Sequence, residues 1–184
     1  PDTVAKILFT SGSTGQPKGV INTQRMMCAN QESAAAAWTF LADHPPVIVD
    51  WLPWNHTFGG NHNIGLTLYN GGSMYLDAGK PMPGGIEETV RNLREISPTV
   101  YFNVPKGYES LLPYLRDDKA LRARFFHRLH AMFFSGAAFA ASLDATGAAS
   151  RGVSSADSDS SSVGAAAFAA GARAAGFFET RTSA

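Results

Sequence analysis

The residues of most chemical interest fall in two short stretches. In the first, Ile7-Leu8-Phe9-Thr10-Ser11-Gly12-Ser13-Thr14-Gly15-Gln16-Pro17-Lys18-Gly19-Val20, an apolar run leads into three glycines, four hydroxyls and a lysine. Successive backbone N–H groups in such a turn form an anion-binding concavity, the hydroxyls add donors and Lys18 adds positive charge, so a triphosphate is the guest this loop suits. In the second, Trp51-Leu52-Pro53-Trp54-Asn55-His56-Thr57-Phe58-Gly59-Gly60, a histidine sits among aromatic side chains directly after an apolar run. Loops after strands carry function in α/β sheets, and a flat apolar acid could stack there.

Each stretch has a plainer alternative. A Gly/Ser linker would not normally follow an apolar strand or continue into Pro17-Lys18-Gly19-Val20. The Walker and dinucleotide phosphate loops are excluded by spacing, because neither Gly-x-x-x-x-Gly-Lys-Ser/Thr nor Gly-x-Gly-x-x-Gly occurs. For His56 the alternative of a core histidine bonded to backbone carbonyls stays open. His56 and His62 are six apart with no adjacent carboxylate or thiolate, which is not zinc-ligand spacing. His127 and His130 could share a helical face, but with Arg122, Arg124 and Arg128 beside them that face reads as solvated and basic.

Positioning these side chains requires a layered scaffold, and the apolar pattern supplies one. Strands are expected at Val4 to Thr10, Val47 to Trp51, Ser73 to Leu76 and Thr99 to Val104. Helices are expected at Thr23 to Leu41, where Met26, Met27, Cys28, Ala34, Ala35, Trp38 and Leu41 give a broad apolar side, at Ile86 to Ile96 and at Tyr108 to Leu115. Pro17-Lys18-Gly19-Val20 is expected to lead into a helix. This alternation argues an α/β fold with a mostly parallel sheet flanked by helices.

The pattern changes at about Ser135. Of the last fifty residues 33 are Ala, Gly or Ser, and no proline follows Pro113, so few large side chains remain to offset roughly 1 to 2 kcal/mol of ordering entropy per residue. The tail is expected to be disordered or loosely helical, either as a linker or because a frameshift near residue 139 replaced another continuation. The remaining composition narrows the partners. Fifteen basic residues balance fifteen acidic ones, which points to small molecules and away from nucleic acid. The single Cys28 gives no disulfide framework and fits a reducing, cytoplasmic setting. No run of eighteen apolar residues suggests a transmembrane segment, and the start at Pro1 reads as cut from something longer.

The first stretch also resembles a known signature. Thr10 to Val20 is similar to the phosphate-binding loop of the acyl-adenylating (AMP-binding) superfamily, which includes acyl-CoA synthetases, luciferases of the firefly type and peptide-synthetase adenylation domains. The resemblance implies that Thr10, Ser11, Gly12, Ser13, Thr14, Gly15 and Lys18 hold the β- and γ-phosphates of ATP while a carboxylate attacks the α-phosphate. Pro53 to Gly59 resembles the family's Pro-x-x-His-x-x-Gly segment, which implies that His56 orients the carboxylate and that Phe58 borders the acid. Phe133-Phe134-Ser135-Gly136-Ala137-Ala138 is similar to the family's strand and Ser-Gly-Ala turn, and Gly136 and Ala137 are implied to line the acyl and adenine side. Trp51 to Asp77 is most similar to feruloyl-CoA synthases.

The expectation is therefore a partial AMP-binding domain over residues 1–138 and an Ala/Gly/Ser-rich tail over 139–184. The function implied is that of an ATP-dependent acid:CoA ligase acting on an aromatic carboxylic acid such as ferulate, with CoA as co-substrate. A carrier-protein-loading adenylation domain and an inactive remnant are the alternatives. Mg2+ is implied by the family, yet the later segments that would hold it, the adenine and the ribose are not found; Phe178-Glu179-Thr180 lacks the Tyr-Gly that should precede it.

Overall fold

A computed structural model describes residues 1–10, 16–135 and 165–169. Strands β1 (Val4–Thr10) and β2 (Lys18–Thr23) form an antiparallel hairpin in which Thr10 faces Lys18 and Phe9 faces Gly19. The glycine-rich stretch is the connection between them. The helix expected beyond Val20 follows at Gln24, but an unforeseen strand precedes it: Val20 and Ile21 are β-branched and pair across to Leu8 and Ile7. Ile7, Phe9, Val20 and Ile21 remain largely exposed, so this pairing rests on ladder hydrogen bonds more than on a buried face.

Helix α1 (Gln24–Ala37) starts where Thr23 Oγ1 accepts the Met26 N–H at 3.3 Å, the usual threonine cap. It stops before the expected Leu41, and a 3-10 turn at Thr39–Ala42 carries the chain on to β3 (Val47–Asp50). After β3 come a π-helical stretch (Thr57–Asn63), α2 (Ile64–Tyr69) and β4 (Ser73–Leu76), which pairs parallel to β3. Helix α3 (Ile86–Glu95) and strand β5 (Val100–Asn103) follow. Then α4 (Pro105–Asp117), longer than expected and opened by a proline at its first turn, leads to α5 (Lys119–Phe126) and to β6 (Ala131–Ser135), parallel to β5. Asp118 caps α5 by accepting the Leu121 N–H at 2.9 Å.

Strands β3 and β5 meet at their starts, where Thr99 N–H donates to Val47 O at 3.0 Å and Thr99 Oγ1 accepts the Val47 N–H at 2.8 Å. Their side chains alternate between two cores, as the strand period requires. Val49 and Tyr101 join Val90, Leu93, Leu111, Leu121 and Phe125 from α3, α4 and α5 on one face. On the other face Ile48, Val100 and Phe102 join Leu41, Leu52, Phe58 and Leu66. Strands buried on both sides with helices over them are the expected α/β arrangement with parallel pairing.

Within the tail, where disorder or a loose helix was expected, Ala165–Ala169 forms strand β7, paired antiparallel to β6. The rest of the tail, and with it the frameshift expectation, lies outside the described residues.

Candidate active site

The site begins where β3 ends. Asp50, the last residue of that strand, is buried; its Oδ1 accepts the Leu52 N–H at 3.1 Å and its Oδ2 accepts the Asn63 Nδ2–H at 3.0 Å. One carboxyl group thereby ties both ends of the segment between residues 50 and 63. Burial pushes its pKa up, opposed by these two hydrogen bonds, with a smaller upward push from the charge of Asp77. Inside the segment the π-helical stretch packs directly on the backbone that precedes it. A Cβ on Gly59 would lie 2.6 Å from Pro53 O and 2.7 Å from Leu52 O, and one on Gly60 would collide with Trp54 O. Glycine is required here for close approach.

Two histidines sit at the ends of this stretch. His56 caps it: its Nδ1 accepts the Phe58 N–H at 3.2 Å, so the proton of the uncharged ring sits on Nε2, which becomes a donor. His62 is oriented the other way. Because Asn63 gives its N–H to Asp50, it turns Oδ1 to the His62 ring, whose Nδ1 lies 3.0 Å away and must be the donor. Nε2 of His62 is then an acceptor. The His62 ring stacks on Phe133 at 5.7 Å and meets Phe102 at 5.0 Å, Phe58 at 5.9 Å and Trp38 at 6.1 Å edge to face. Desolvation among these rings lowers its pKa, partly offset by Asn63.

Both histidines line a cavity of about 560 Å3, within the usual size range for small-molecule sites. Helix α1 forms one wall with Met26, Met27, Ser33, Ala34 and Ala37; Thr57, Phe58, Asn61 and His62 form another; Phe133 and Ser135 of β6 close it. Asn22, at the end of the hairpin, joins the two walls by accepting the Asn61 Nδ2–H at 2.7 Å. A second tie runs from Lys6 Nζ to Gly60 O at 3.2 Å, holding the hairpin to the π-helical stretch.

Of the residues singled out in the sequence, His56 and Phe58 come together in this cavity, Phe58 being buried in the aromatic cluster as well as lining it. Thr10 and Lys18 face each other in the hairpin register, flanking the glycine-rich connection. Ser11, Gly12, Ser13, Thr14 and Gly15, and Gly136 and Ala137, lie outside the described residues. His62, Trp38, Phe133 and the Asp50–Asn63 pair were not anticipated as site residues. The run Asn61-His62-Asn63 was the available signal, since a histidine flanked by amides has partners that can fix its ring. Among the described residues no group of three His, Cys, Asp or Glu side chains could hold a metal ion. No helix among them is long and apolar enough to cross a membrane.

Residues 1–150 match the model of the family described as AMP-binding enzyme. The chain is 31% identical over 115 residues to the long-chain-fatty-acid–CoA ligase ACSBG2 of Xenopus laevis, covering 60% of this chain and 15% of the relative. It is 30% identical over 131 residues to the peroxisomal long chain acyl-CoA synthetase 6 of Arabidopsis thaliana, covering 69% of this chain and 18% of the relative. Among solved structures, a malonyl-CoA ligase in a ternary product complex with methylmalonyl-CoA and AMP superposes with a TM-score of 0.54 at 29% identity, over 67% of this chain and 25% of that one. The chain thus spans less than a fifth of either of these two ligases. These relatives are named for fatty and malonic acids and do not carry the feruloyl resemblance.

Proposed function

Because the chain belongs to the AMP-binding enzyme family, we propose that it is the phosphate-loop and acid-pocket portion of an ATP-dependent acid:CoA ligase, and that the acid is aromatic, of the ferulate type. In this reading the acid lies in the cavity between α1, the π-helical stretch and β6. The His56 Nε2–H donates to its carboxylate and holds it for attack on the α-phosphate of ATP. Thr10, Ser11, Gly12, Ser13, Thr14, Gly15 and Lys18 hold the outer phosphates, and CoA then accepts the acyl group. Gly136 and Ala137 also bind the acid. The protein works in a reducing, cytoplasmic setting, to which the exposed Cys28 is suited. Mg2+, when bound, would neutralise charge on the ATP phosphates.

The observation that carries the aromatic assignment is the lining of the cavity. Trp38, Phe58, Phe133 and the His62 ring offer flat faces and edges next to His56, a surface that suits a rigid ring better than a flexible hydrocarbon or a dicarboxylate. Pyrophosphate exchange by the complete ligase tests this, with ferulate, a long-chain fatty acid and malonate compared at equal concentration. Ferulate is expected to give the highest rate; exchange with the fatty acid or malonate and none with any cinnamic acid would overturn the assignment.

The 184-residue chain by itself is expected to form no acyl-CoA. Adenylation needs acid, nucleotide and metal held in near-attack geometry, worth up to roughly 7 to 11 kcal/mol, and the described residues supply one wall of that site.

A further inference from the structure

Resting on the reading of the cavity as the acid site, we infer that His62 sets specificity: its Nε2 accepts a hydrogen bond from a hydroxyl on the non-reacting part of the bound acid. The inference starts from the buried relay behind the ring. The carboxyl group of Asp50 accepts from Asn63, Asn63 therefore accepts from His62 Nδ1–H, and the remaining nitrogen is left with its lone pair. Asp50 and Asn63 are both buried, Asn63 completely, so this orientation is held by the core and not by solvent.

The front of the ring faces a different environment. His62 lines the cavity, and among the described residues no group donates to its Nε2. Around it stand Trp38, Phe58, Phe102 and Phe133, none of which offers a donor to that nitrogen. An acid with a bare hydrocarbon or unsubstituted ring would displace water from this acceptor and leave it unpaired, a loss a hydroxylated acid avoids. Burial also disfavours the protonated ring, which keeps Nε2 an acceptor rather than a second donor. His56, by contrast, presents a donor to the same cavity, so the two ends of a hydroxylated acid are met by complementary groups.

The test is equilibrium binding of cinnamic acid and its ortho-, meta- and para-hydroxy derivatives to the complete ligase and to its His62→Phe variant. Phenylalanine keeps the ring in the aromatic cluster and removes the acceptor. At least one hydroxylated acid should bind the unaltered ligase roughly three- to tenfold tighter than cinnamic acid, the range a single net hydrogen bond supports. In His62→Phe the difference should fall to within about twofold. As a reading free of mutation, the imidazole 15N spectrum should show an unprotonated Nε2 whose resonance moves with the preferred hydroxy acid and stays put with cinnamic acid. Equal binding of all four acids, a preference that survives in the variant, or a protonated Nε2 would overturn the inference while leaving the acid-site reading intact. Failure of every cinnamic acid to bind, where another carboxylic acid does, would overturn both.

Discussion

His56 and His62 stand at the two ends of one π-helical stretch and line the same cavity, yet their ring nitrogens are used in opposite senses. His56 is exposed, and a backbone N–H at its Nδ1 makes Nε2 a donor. His62 is enclosed by aromatic rings, and an amide oxygen at its Nδ1 makes Nε2 an acceptor. The residue type is the same in both cases, so the difference comes from what stands behind each ring. A local cap sets the first; the second is set by a relay to Asp50, thirteen residues before Asn63. A histidine's chemistry is thus fixed by its rear neighbour, and that neighbour can be local or distant.

The largest effect is expected at His56. His56→Ala in the complete ligase removes a donor to a charged carboxylate, an interaction worth about 1.5 to 3 kcal/mol, so kcat/KM for every acid should fall roughly 10- to 150-fold while the apparent affinity for ATP changes little. That uniform loss would contrast with His62→Phe, expected to matter only for hydroxylated acids. Steady-state kinetics with acid and ATP varied separately decide it; a loss confined to some acids would make the two histidines alike.

His56 was legible before the structure because its signal is local: a proline, a histidine and a glycine pair directly after an apolar run. The strands at Val47 and Ser73 and the helix at Ile86 were legible for the same reason, their apolar spacing being read within a few residues. His62 was not, because its meaning depends on Asp50 and Phe133, which only the parallel sheet brings to it. The spacing of His62 from His56 was examined only as possible metal-ligand spacing, and spacing alone cannot show which ring nitrogen is free. Strand β2 was missed because the glycine-rich stretch looked like a loop entering a helix, whereas it links two antiparallel strands. Met26, Met27, Ala34 and Trp38 were recognised as the apolar side of a helix, but the same pattern serves a packed core and a cavity wall equally well.

An intermediate effect is expected at the backbone that carries both histidines. Gly60→Ala would drive a Cβ into Trp54 O, and neither backbone can yield without disturbing the π-helical stretch. Overpacking of this kind costs typically 1 to 3 kcal/mol. Urea denaturation should show a lower midpoint, with the loss of acid binding extending to hydroxylated and plain acids together. An unchanged midpoint would mean that the close approach of residues 54 and 60 is not needed to place either ring.

The smallest effect is a difference in how stability responds to acid. The pKa of His62 is lowered by desolvation, with Asn63 acting in the opposite direction, so the unfolded chain takes up a proton that the folded chain refuses. Stability is therefore lost as pH falls from the ordinary imidazole value of 6.5 toward the lower folded value, and is unaffected above it. Asp50 works with the opposite sign. Its folded pKa is raised, so between the ordinary value of 3.8 and that higher folded value the native state holds a proton the unfolded chain has released, and acidification through this window adds stability. The window in which His62 acts begins at 6.5, above the ordinary range of Asp50, and the slope per titrating proton there is at most about 1.4 kcal/mol per pH unit. His130 contributes with the same sign as His62, since its pKa is lowered by desolvation and then by His44, so the informative quantity is the difference between proteins. Subtracting the urea-midpoint profile of His62→Phe from that of the unaltered chain leaves the part due to His62. It should decline below about pH 6.5 and not above it. If the His62→Phe difference were flat across the whole range, the ring would be solvated in the folded chain, and with it would go the contrast between an exposed donor and an enclosed acceptor.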